Sequence, residues 1–206
     1  GSKIDEGAVT INGFNVSATS SDGVSIFQSE GSAIAKANAI NAVANKTGVI
    51  AAAKPSTFDF KVPADATALS AFEFVLNGQL IKGNIESDTN AVGSASNIAA
   101  AINSKSNQTG VIATVSSEVG KEGTYTLTAN DGRNIVLTIN AAEIEKAGGS
   151  VVNATNTPDW ADTGIDVPTT GGVSAQLKMV KLQSGEVGAT DDTVVVYGSI
   201  ELSTDS

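Results

Sequence analysis

Cysteine and histidine are both absent from the 206 residues. Their absence removes the Ser-His-Asp and Cys-His nucleophile systems and every zinc site built on Cys or His. No disulfide can brace the fold, so stability has to come from a packed core and backbone hydrogen bonds. Aromatic residues make up 4% and charged residues 17%, at or below the low edge of globular usage, and there is one Trp. No apolar run approaches the roughly 20 residues of a membrane-crossing helix, which leaves no membrane partner to expect. No secretory signal is present, which says nothing about export. Basic residues are scarce: Lys and Arg total 12 against 22 acids, for a net charge of −10, and Arg133 is the single Arg. That balance, with no basic stripe interleaved with aromatics, argues against nucleic acid and anionic lipid. It suits solubility and mutual repulsion instead.

What the sequence does have is a repeat. Ile40-Asn41 to Ala51 and Ile102-Asn103 to Ala113 share the form I-N-x-x-x-N-x-T-G-V-I-A, 62 positions apart. A second echo lies upstream, Val9-Thr10-Ile11-Asn12-Gly13 and Phe74-Val75-Leu76-Asn77-Gly78, at an offset of 65. Duplicated folding units build arrays and surfaces more often than active sites. Alternating runs flank each Asn-Gly pair, and a type I′ turn needs φ > 0 at both central residues, so each copy predicts a hairpin. A helix follows, with Ile34, Ala37, Ile40 and Val43-Ala44 on one stripe of the first copy, and Ala95, Ile98 and Ala101-Ile102 in the second. Ser32 and Ser94 sit where N-caps belong. Gly48 and Gly110 end the helices, and replacing either with Ala predicts a cost of about 1 kcal/mol. The β-branched exits beginning at Val49 and Val111 read as strands. After the second copy, Thr124–Thr128 and Ile135–Ile139 around Asn130-Asp131-Gly132 read as a further hairpin.

This order of signals resembles the short motif repeated in the variable central region of bacterial flagellins and in some hook-associated proteins. That motif joins a strand with Asn-Gly, an Ala-rich helix carrying I-N, a T-G-V-x-A exit and a closing strand of the Leu-x-Leu-x-Ser type. The closing strand is matched by Tyr125–Thr128 and again by Tyr197–Ser203. The resemblance covers residues 7–52, 72–140 and the last ten or so, while residues 141–190 carry no part of it. It implies an α+β, strand-dominated fold of two small domains, each with an Ala-rich helix packed on an antiparallel sheet.

The domain expectation is a discontinuous proximal domain of residues 1–62 plus 173–206 and a distal domain of 63–172. Flagellins polymerise through heptad-bearing helices at both termini, and neither end of these 206 residues carries them; Gly1-Ser2 reads as a cloning remnant. The sequence therefore reads as an excised outer region of a filament subunit, monomeric alone, whose partners are other flagellin subunits through those terminal helices. Host or surface receptors and antibodies are further partners this implies, with an extracellular, flagellar location. The alternatives are a hook-associated or cap protein, or a secreted carbohydrate-binding adhesin. The resemblance also supplies a reason for the missing cysteines, since flagellar subunits are exported unfolded.

Catalytic, cofactor and metal sites are expected to be absent. Asp191-Asp192, Asp159 with Asp162 and Asp166, and Glu118 with Glu122 are the carboxylate clusters, and nothing in the sequence sets any two across a cleft as a glycosidase requires. The Asp159–Gly164 stretch departs from a calcium loop, with Ala161 at the third position and no Glu at the twelfth. Trp160 is read as packing against Pro158, Ile165 and Val167; a sugar platform is the alternative. Trp160→Ala separates the two, through lost stability or through lost glycan binding on an intact fold. Asn-x-Ser/Thr triplets begin at Asn15, Asn45, Asn107 and Asn153, and turn or capping roles explain them. Ser17–Ser21 and Ser150–Thr157 are chemically open to O-linked decoration.

Overall fold

Each Asn-Gly pair forms the tight hairpin its φ > 0 requirement predicts, with Asn12 at φ 49° and Gly13 at 83°, and Asn77 at 45° and Gly78 at 75°. The structure, a computed structural model, describes residues 1–61, 71–84, 91–139 and 192–204. In the first copy the hairpin joins β1 (Thr10–Ile11) to β2 (Phe14–Asn15) and is followed by α1 (Ala33–Asn41), α2 (Ala44–Thr47) and β3 (Val49–Ala53). Next comes β4 (Ser56–Lys61). The second copy repeats the order with β5 (Ala71–Leu76), β6 (Gln79–Asn84), α3 (Ala91–Asn103), α4 (Ser106–Thr109) and β7 (Ile112–Val115). Then follow β8 (Thr124–Ala129), β9 (Ile135–Ile139), β10 (Asp192–Val196) and β11 (Ile200–Thr204). The architecture is α+β, strand-rich, with small helices on antiparallel sheets.

Among the described residues the sheets run β1-β2, β11-β3, β4-β8-β7 and β10-β9-β5-β6. The chain divides into two compact units. The first holds Gly1–Thr57, Thr128–Val136 and Val195–Ser206, and the second Phe58–Leu127 and Leu137–Val194. In the first, α1 lies on β3 and β11, and Val16, Ala37, Ala39, Ile40 and Ala51 form a core closed by Val9, Ile11, Val43, Ala53 and Ile200. Alanines let the helix approach the sheet closely, which suits a thin core. In the second, α3 packs on β6 and β7. Its buried residues include Phe74, Leu76, Ile81, Ile98, Ile102, Val111 and Leu127. Phe72 pairs across the strands with Gly83, where a Cβ would come within 2.7 Å of the Phe72 ring, so the glycine makes room for the aromatic.

Three features differ from the sequence expectations. The helix before each glycine is not continuous. Val43 (φ −112°, ψ 8°) and Lys105 (φ −110°, ψ 7°) leave helical dihedrals, and each donates its N–H to a carbonyl three residues back, Ile40 O at 3.1 Å and Ile102 O at 3.0 Å. Both copies break at the same step, so the break belongs to the motif. Ser32 caps α1, its Oγ accepting from Ala35 N at 3.0 Å, but Ser94 lies inside α3, fully buried with its hydroxyl unpartnered among the described residues. Helix α3 begins earlier than the cap signal because Ala91-Val92-Gly93 already follow helical geometry. Third, β8 and β9 do not pair as a hairpin; they belong to different sheets. Asp131 takes its bonds from Arg133 instead, and Asn134 is tied elsewhere, so the turn sends the chain onward. Strand β4, beginning at Ser56, is carried by the alternation Thr57-Phe58-Asp59-Phe60.

Candidate functional site

The residues that define the repeat converge on one place, the exit from the helix pair into the following strand. Alternate residues of a strand present their N–H and C=O to opposite edges. In β3, Lys54 N donates to Ser199 O at 2.7 Å on the β11 side, so Val49, Ala51 and Ala53 face the other edge. That edge is occupied by side chains of the motif. Asn41 Nδ2 donates to Ala51 O at 2.8 Å, and Ala51 N donates to Asn41 Oδ1 at 2.7 Å. Val49 N donates to Thr47 Oγ1 at 3.1 Å. An amide side chain thus takes the part of a neighbouring strand.

The second copy makes the same bonds. Asn103 Nδ2 reaches Ala113 O at 2.8 Å, Ala113 N reaches Asn103 Oδ1 at 2.8 Å, and Val111 N reaches Thr109 Oγ1 at 3.1 Å. On the opposite edge, Ser116 N donates to Thr124 O at 2.8 Å, the counterpart of Lys54 to Ser199. The hairpins join in as well. Asn12 Nδ2 donates to Thr47 O at 2.7 Å and Asn77 Nδ2 to Thr109 O at 2.8 Å, satisfying a carbonyl that the helix end leaves open. Gly48 (φ 67°) and Gly110 (φ 70°) take the left-handed turn and donate to Ala44 O and Ser106 O. Apart from the second Asn of the repeat (Asn45, Asn107), its polar letters each have a bond to make. The Asn of I-N blocks a strand edge, the Thr of T-G closes the turn, and the Asn of Asn-Gly caps the helix.

The closing strands distinguish the copies. In the second, β7 pairs with β8, ten or so residues on. In the first, the partner of β3 is β11, in antiparallel register Ile200↔Ala53 through Thr204↔Val49. The first copy is therefore split, its closing strand supplied after the whole second copy has intervened.

The remaining candidates resolve singly. Glu118 pairs with Lys121 at 2.7 Å, and Glu122 Oε1 accepts from Gly120 N at 2.9 Å, so these two acids organise their own loop. Asn45 and Asn107 lie within α2 and α4, and Asn15 Oδ1 accepts from Thr10 Oγ1 at 3.3 Å. Thr19, in the stretch read as open to decoration, is buried, its hydroxyl accepting from Ile4 N at 3.1 Å. Trp160, Pro158, Ile165, Val167, Asp159, Asp162, Asp166, Asp191, Asn153, the Ser150–Thr157 stretch and Ala175–Leu182, which the sequence reads as a strand, lie outside the described residues. Among the described residues no group of three or more Asp or Glu is placed to hold a metal, and no helix is long and apolar enough to cross a membrane. Asn134 was not singled out from the sequence, yet it is buried. Its N–H donates to Ser25 Oγ at 2.9 Å and its Nδ2 to Phe27 O and Gln28 O. No local pattern signals it, because its partners lie more than a hundred residues away.

Two carboxylates give the first unit a pH response. Partial burial raises the pKa of Asp131, but the Arg133 side chain (Nη2 at 2.7 Å), its N–H and its charge outweigh that and hold the group below the ordinary 3.8. Asp22 is also held below 3.8, burial being overcome by hydrogen bonds from Ser25, Ser32 and Val24. A carboxylate whose folded pKa is depressed stabilises above its unfolded value, and that contribution is lost as pH falls through the folded one. Stability should therefore drop as the pH is taken below 3.8. In denaturant titrations, Asp131→Asn should flatten part of that fall; an unchanged slope would show that the Arg133 pairing adds nothing.

Two helix-on-sheet assemblies sharing one latch define a duplicated structural module. Residues 73–131, which run from β5 to the turn after β8, match the flagellin hook IN motif. The family resemblance of the central region thus stands on that match, and it supports a flagellin- or hook-related structural role. A comparison with curated proteins finds no match.

Proposed function

We propose that this chain is the solvent-facing outer region of a bacterial flagellar filament subunit and carries no catalysis. The observation that carries the reading is the twin latch: the bonds of the matched copy recur, residue for residue, in a copy at Asn12–Ala53, outside the matched residues 73–131. Filament assembly would then run through the terminal helices by which flagellins polymerise, with the residues described here exposed to surfaces, receptors and antibodies outside the cell. In this reading residues 1–62 and 173–206 form the proximal domain and 63–172 the distal one, although Thr128–Val136 cluster with the first compact unit. The pairing of β11 with β3 supports it, because an outer region must enter and leave its parent at neighbouring points. The motif's association with hook proteins favours a hook-associated parent as the second reading.

A net charge of −10 and the side-chain cover on the β3 and β7 edges both favour a species that does not self-associate. Light scattering of the chain alone should report a monomer. Long ordered polymers would overturn the assignment of assembly to other segments.

A further inference from the structure

We propose that Asn12 is a site of spontaneous covalent modification, deamidation through a cyclic imide, and that its twin Asn77 is shielded from it. Both asparagines precede glycine, whose lack of a Cβ leaves its backbone nitrogen free to approach the side-chain carbonyl. In the reaction the Gly13 nitrogen, giving its proton to solvent, attacks Cγ of Asn12. A C–N bond forms, the Cγ–Nδ2 bond breaks, and ammonia leaves. Water then opens the imide at either carbonyl, giving aspartate or isoaspartate. Nothing is oxidised, and water is the only co-reactant.

In the folded chain the Nδ2 of each asparagine is bonded to a helix-end carbonyl, Thr47 O at 2.7 Å and Thr109 O at 2.8 Å, so the side chain must be released before Cγ can meet the glycine nitrogen. The two copies differ in how readily that happens. Asn12 is exposed and sits between strands of two residues each. Asn77 is only 6% exposed, joins strands of six residues each, and β5 is held on its other side by β9. Short, exposed pairings open far more often than buried ones in mid-sheet. Either product also ends the latch at Asn12: the new carboxylate cannot donate to Thr47 O, and isoaspartate adds a backbone carbon to a two-residue turn. Each event adds one negative charge.

The test is peptide mapping by mass spectrometry after incubating the whole chain at mildly alkaline pH, native and in denaturant. In denaturant the two sites should react at similar rates, which calibrates their sequences. In the native chain Asn12 should react at least about tenfold faster than Asn77, a ratio equivalent to one modest difference in local opening. The proposal is overturned if the native chain modifies Asn77 as fast as Asn12, or if Asn12 is protected to the same degree as Asn77. As a second readout, Asn12→Asp should speed amide exchange at Gly48 and Val49; unchanged exchange there would contradict the claim that modification breaks the latch.

Discussion

Removing residues 197–206 is expected to unfold the first unit around β3 while sparing the second copy of the motif. Strand β11 supplies all five register partners of β3, and Ile200 closes the core made by Val16, Ala37, Ala39, Ile40 and Ala51. Without it, the β11-facing edge of β3 loses its backbone partners, at roughly 0.5–1.5 kcal/mol for each bond. A unit with so thin a core has little margin against a loss of several such bonds. Hydrogen exchange read by mass spectrometry should show peptides covering 33–53 becoming unprotected. Peptides covering 91–115, whose closing strand β8 remains, should be unchanged. Retained protection in 33–53 would mean that the first copy does not depend on its distant strand.

The second large effect is expected at the latch. Asn103→Ala should cost about 2–4 kcal/mol, because it removes two hydrogen bonds and leaves the N–H and C=O of buried Ala113 without partners. Asn103→Asp should cost less, since its carboxylate still accepts from Ala113 N but faces Ala113 O with no donor. Equilibrium denaturation of the two variants beside the unsubstituted chain measures both. Equal, negligible losses would show that the Asn pairs with the strand without stabilising it.

How much of this was legible beforehand follows from the range of each interaction. The hairpins at Asn12-Gly13 and Asn77-Gly78 and the stops at Gly48 and Gly110 were readable because φ > 0 is a local demand with few residues to meet it. The repeat marked Asn41 and Asn103 as letters without a role, and Thr47 and Thr109 as capping or turn residues. Their bonds to Ala51, Ala113, Val49 and Val111 needed the fold-back of the strand beside the helix end. The helix break at Val43 was invisible to periodicity, since the apolar stripe of the first copy runs through it, and Lys105 marks the same step in the second. The turn at Asn130–Gly132 misled for a related reason. A turn signal states that the chain reverses, not that the flanking strands pair, and here Arg133 and Asn134 direct β9 into another sheet. The closing strand of the first copy was recognisable as a strand of the right type. Which strand it closed depended on a pairing across some 150 residues, which no local pattern encodes.

The same account assigns a purpose to polar letters that would otherwise look like surface decoration. An edge strand with open N–H and C=O groups is a template for pairing with another chain. Among the described residues strands β3 and β7 each have one edge that no strand pairs, and in both the motif covers it with its own Asn and Thr. That cover keeps copies of the chain from joining edge to edge.

The central claim is that one latch recurs in both copies, and amide exchange at Ala51 and Ala113, followed residue by residue by NMR, tests it most directly. Both N–H groups face away from β11 and β8, and among the described residues the asparagine side chains are their hydrogen-bond partners. The account predicts slow exchange at both in the unsubstituted chain. It further predicts that Asn41→Ala releases Ala51 alone and Asn103→Ala releases Ala113 alone. Fast exchange at either amide in the unsubstituted chain, or protection that survives loss of its asparagine, would contradict it.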